Sequence, residues 1–74
     1  MSNIDTDNAI RLAEQHKTEM AEFGYKPSRK EVAVYVWHNM SVDDRVEIME
    51  AVGNASTLHR RYSACIDYVT EMVT

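Results

Sequence analysis

Apolar positions recur along this chain with the 3.6-residue period of helices, and four separate runs carry that period. In the first, Ala9, Ala13, His16, Met20 and Phe23 follow one another at spacings of four, three, four and three, with Leu12 beside them. Asp5, Thr6 and Asp7 offer an N-cap and two acids for the positive end of the helix dipole. Gly24 is placed to end the run in a left-handed conformation. A helix over about 6–23 is predicted, buried along the Ala9–Phe23 stripe.

Tyr25-Lys26-Pro27 makes a turn, because Pro27 cannot sit inside a helix and keeps Lys26 out of helical geometry. Ser28 and Glu31 then have the spacing of a capping box, so a second helix is expected over about 29–39. Ser41 and Asp44 repeat the spacing with a shorter acid, opening a third helix over about 42–52 whose buried stripe reads Val42, Val46, Met49 and Val52. Gly53-Asn54 is a stop, and Asn54 or Ser56 can cap a fourth helix over about 56–73. Its stripe is Leu58, Tyr62, Cys65, Ile66, Val69, Met72 and Val73.

The prediction is an all-α fold: one domain over residues 1–74, a small bundle of three to four short helices. A chain of 74 residues buries only roughly 60% of its unfolded surface and has a marginal core, so such scaffolds usually carry a staple. A disulfide within the chain is excluded, because Cys65 is the only cysteine. His16, His38, His59 and Cys65 do not pair at i, i+3 or i, i+4, so no metal and no cofactor are expected. Dimerisation is therefore the expected staple.

The second helix sharpens that expectation. Residues 32–37 read Val-Ala-Val-Tyr-Val-Trp, apolar all the way round where a surface helix should be apolar along one stripe. Either the helix is central and covered on every side, or the core covers one flank and another molecule covers the rest. Three short helices offer little to enclose a fourth, so the second arrangement is expected, with Val34, Tyr35 and Trp37 as interface residues. Tyr35 is assigned to the association surface and Trp37 to both core and interface. The same run, rich in strand formers, also fits an intermolecular strand.

Charge limits the partners. The formal net charge is −4, which opposes binding to nucleic acid or anionic membranes unless the cations cluster. Two clusters exist: Lys26, Arg29 and Lys30 at the start of the second helix, and Arg60 and Arg61 at the start of the fourth. Together they are a candidate anion or nucleotide site in an oligomer. Asp43, Asp44, Glu47 and Glu50 on the third helix form a candidate acidic contact face. A helix-turn-helix DNA regulator is an alternative, but the helix in the recognition position is acidic. No run approaches the length of a membrane span, and the polar, acidic Met1–Asp5 segment is not a signal sequence. A cytoplasmic setting, in its own or a host cell, is expected.

No nucleophile has a base and an acid at recognisable spacing, and nothing Gly-rich would cradle a phosphate. The residues carry no family signature. The expectation is a non-enzymatic protein-binding module that occludes a larger protein as an inhibitor or adaptor. Small acidic helical proteins of bacteriophages and mobile elements often work this way, an association by type.

Overall fold

The computed structural model describes residues 4–53 and 58–74. They form four helices: α1 (Thr6–Glu22), α2 (Arg29–Asn39), α3 (Val42–Val52) and α4 (Leu58–Val73). The expected caps Asn54 and Ser56, and the side chain of Leu58, lie outside the described residues. No strand forms among the described residues, so the run 32–37 is helical. Among them, too, no helix is long and apolar enough to cross a membrane.

The helix ends are fixed by the local chemistry read from the sequence. The Asp5 carboxylate accepts from the Asn8 amide at 3.0 Å. At the other end of α1 the Gly24 amide donates to the Ala21 carbonyl and the Tyr25 amide to the Met20 carbonyl, with Gly24 at φ +72°. These are the two bonds of a Schellman turn, which needs a residue tolerant of positive φ. The capping box of α2 is complete: Ser28 Oγ accepts from the Glu31 amide, and Glu31 Oε1 accepts from the Ser28 amide, both at 3.2 Å. Ser41 accepts from the Asp44 amide at 3.2 Å and opens α3.

α2 is the hub. Val32, Ala33, Val36, Trp37 and Met40 are all buried, an arc of about 140° on a helix turning about 100° per residue. Ala9, Leu12 and Ala13 of α1, Ile48 of α3, and Cys65, Ile66 and Val69 of α4 complete the core around it. α2 and α4 run antiparallel: Arg29 at the start of α2 donates to Thr74 Oγ1 at the end of the chain at 3.1 Å, while His38 near the end of α2 meets the Tyr62 hydroxyl at 3.2 Å.

The coverage of α2 differs from the expectation. Helices α1 and α4 cover more of it than three short helices were expected to, and none of residues 32–37 is exposed. Tyr35 does point away from Val32, Val36 and Met40, but that flank meets α1, where Tyr35 stacks on His16. Trp37 is buried, only 7% exposed, and Val34 is half-buried.

The phase of α3 also differs from the reading. Val42, Val46 and Met49 are exposed, and the buried positions are Ile48 and Asp44, with Val52 half-buried. At about 100° per residue, the two stripes lie roughly 120° apart around the helix. The helix thus has two apolar faces and turns the one bearing Ile48 inward. Asp44, assigned to an outward acidic face, is only 8% exposed. Phe23 is corrected as well: it is 81% exposed, because as the C-cap of α1 it sits where the chain is already leaving toward α2. Tyr62, on the expected stripe of α4, is partly exposed too.

Candidate functional site

The outward face of α3 carries an exposed apolar row. Val42 is 64% exposed, Val46 42% and Met49 38%. Their spacing of four and three residues lines them up as an apolar ridge. Single exposed apolar side chains are ordinary, whereas an aligned row with charge beside it is the form an interaction surface takes.

Around α3, one border of the ridge carries Glu50, Asp43 and Glu47, and the other carries Arg45. Burial separates their roles. Asp43 and Glu50 are exposed, whereas Arg45 is half-buried with its Nε enclosed and without a hydrogen-bond partner. Glu47 is half-buried like Arg45, so the exposed charges beside the ridge are the carboxylates Asp43 and Glu50. The face continues onto α1: Asp5 and Asn8 join Ser41, Asp43, Asp44, Val46, Glu47 and Glu50 around one depression of about 570 Å³.

α4 supplies the far edge. Val46, Met49, Glu50 and Gly53 share a shallow depression of about 390 Å³ with Arg61. Trp37, Met49, Arg61, Tyr62 and Cys65 line a smaller, open apolar depression of about 170 Å³. Met49 is thus rooted between ridge and core, on a flexible thioether chain suited to adapting its contacts. Arg61 is half-buried and lines both depressions beside α3, whereas Arg60 is exposed.

The candidate anion site is consequently split. Lys26, Arg29 and Lys30 stand at the start of α2, beside the end of α4. Arg60 and Arg61 stand at the start of α4, near the end of α2. The antiparallel packing that builds the core puts the two clusters at opposite ends. What the fold adds to the first cluster is Lys17 of α1, which the sequence reading did not single out. Lys17, Lys26 and Arg29 surround a groove of about 530 Å³ with Ala21, Tyr25, Pro27 and Val32 on its walls. Tyr25 is held there by its hydroxyl, which donates to Glu31 Oε2 at 2.7 Å. That bond, with the Ser28 amide, holds the Glu31 carboxyl below its usual range, and the same bond lifts the Tyr25 hydroxyl.

Groups with other chemistry are sparse. Cys65 is buried, and burial pushes its thiol up despite Arg61 nearby. His38 and Tyr62 share their 3.2 Å contact at the surface. Among the described residues no group of three or more His, Cys, Asp or Glu side chains could hold a metal ion. The exposed ridge of α3 with its carboxylate border is therefore the surface with the clearest chemical character. No family model, no curated protein and no solved structure matches this chain, so its function is read from that surface.

Proposed function

We propose that the chain is a non-catalytic protein-binding module whose α3 face receives a basic, apolar segment of a larger protein. By covering that segment the module inhibits its target or adapts it to another. The observation that carries this reading is the ridge Val42–Val46–Met49, exposed and bordered by Asp43 and Glu50. Apolar area supplies the free energy of such docking, and the carboxylates steer and select a cationic partner. The acidic border equally disfavours the phosphate backbone of nucleic acid, which weighs against the DNA-regulator alternative. The association surface proposed from the sequence thereby moves from α2 to α3.

The test is a photo-crosslinking side chain placed at Val46 and, as control, at Glu14 on exposed α1. In extracts of the source cells, position 46 should give a defined adduct that position 14 does not. The adduct should weaken at high salt, where exposed charges are screened, and vanish on adding Met49→Ser. Equal adducts from both positions, or none from position 46, would remove the support for this surface.

A further inference from the structure

The groove at the start of α2 has the character opposite to that of the ridge. Its charged side chains are Lys17, Lys26 and Arg29, its floor is apolar, and among the described residues no carboxylate lines it. This occurs in a chain whose net charge is −4. Lys17 makes an exposed pair with Glu14 at 3.5 Å, and Arg29 is steadied by its bond to Thr74. An acid-bordered apolar ridge and a cation-bordered apolar groove are complementary in both respects.

They cannot meet within one molecule. The groove lies at the start of α2 and the ridge on the helix that follows its end. The 11 residues of α2 hold them apart by about 16 Å of helix. Resting on the reading of α3 as a docking face, we propose that the groove is occupied by the α3 ridge of a second copy of this chain. Val46 and Met49 would meet the apolar floor, and Asp43 and Glu50 the three cations. Such a contact joins two different patches, so each added copy still offers one free ridge and one free groove. Assembly is head-to-tail, running on as a filament or closing as a ring of three or more copies, whereas a two-fold dimer closes at two. It also competes with any foreign partner for α3, so assembled copies are a reserve of masked modules.

Sedimentation velocity tests this with the full chain and two variants, Val46→Ser/Met49→Ser to erase the ridge and Lys26→Gln/Arg29→Gln to erase the groove. Wild-type protein should grow beyond dimer as concentration rises and shrink again in high salt. Each variant alone should sediment as a monomer, and a 1:1 mixture should stop at dimer, since one intact groove and one intact ridge remain. A wild type that stays monomeric at its solubility limit overturns the proposal. So does association that stops at dimer in the wild type, or that persists in either variant alone. Should a variant lose its far-UV helix signal, Val42→Ser or Lys17→Gln takes its place. If self-association is absent while position 46 still crosslinks a foreign protein, only the head-to-tail contact fails. If neither occurs, the docking face itself is wrong.

Discussion

The ring of Tyr35 lies almost flat on the imidazole of His16, with centroids 4.2 Å apart and planes 15° from parallel. The contact joins the outer flank of α2 to α1 and covers the side of Tyr35 that its sequence position leaves pointing away from the core. Stacked aromatic pairs add about 0.5–1.5 kcal/mol to the area they bury.

Tyr35→Ala should therefore cost roughly 1–3 kcal/mol of stability. Its urea midpoint should fall with the slope unchanged, and self-association of the folded fraction should not. A midpoint equal to that of the wild type would show that the stack contributes nothing.

The phase of α3 can be tested by a pair of substitutions. Ile48→Ala removes a fully buried side chain and should cost roughly 2–5 kcal/mol. Val42→Ser, on the exposed ridge, should stay within about 0.5 kcal/mol of wild type. If Val42→Ser is the more damaging, the helix is rotated from the orientation described.

Ser28→Ala removes one half of the capping box and should cost roughly 0.5–2 kcal/mol. The second half adds a pH dependence. The Glu31 carboxyl is held below its usual range, first by Tyr25 and then by Ser28. Its contribution is thus present above the unfolded-state pKa and is lost as pH falls through the folded one. Glu31→Gln should flatten the acid limb of the stability profile, and an unaltered limb in Glu31→Gln would count against this coupling.

Burial raises the Cys65 thiol above its ordinary value of 9.0. The unfolded chain therefore releases that proton first, and the thiol's contribution is intact below about pH 8 and declines as pH rises past the ordinary value. Comparing wild type with Cys65→Ala at about pH 8 and about pH 10 should show the wild type losing more on going to the higher pH. A thiol reagent should label the native protein slowly and the urea-unfolded chain fast. Rapid native labelling would place Cys65 at the surface.

The helix ends were the most legible part of the sequence, because capping depends on residues within four positions of one another. Asp5, Ser28, Ser41 and Gly24 each do in the fold what their spacing suggests. Stripes were legible where a helix has a single apolar face, as with Ala9 and Ala13 of α1 or Ile66 and Val69 of α4. In α3 the longer apolar row suggests the core, because periodicity cannot say which of two faces turns inward. Burying a carboxylate is ordinarily costly, so nothing local suggested that Asp44 would lie beside Ile48. The candidate surfaces were hidden for a related reason. In sequence the ridge reads as an inward stripe, and Lys17 joins Lys26 and Arg29 only once α1 and α2 fold back on each other.

α3 rests chiefly on α4, whereas α2 is gripped by both α1 and α4. A helix with one main neighbour and one fully buried side chain, Ile48, is the element that detaches most easily while the rest stays folded. Its amides should exchange with solvent through an opening less costly than global unfolding, ahead of those of α2. Anything that clasps the exposed ridge would then act twice. It would hold the molecule, and it would slow that exchange by closing off the partly opened form.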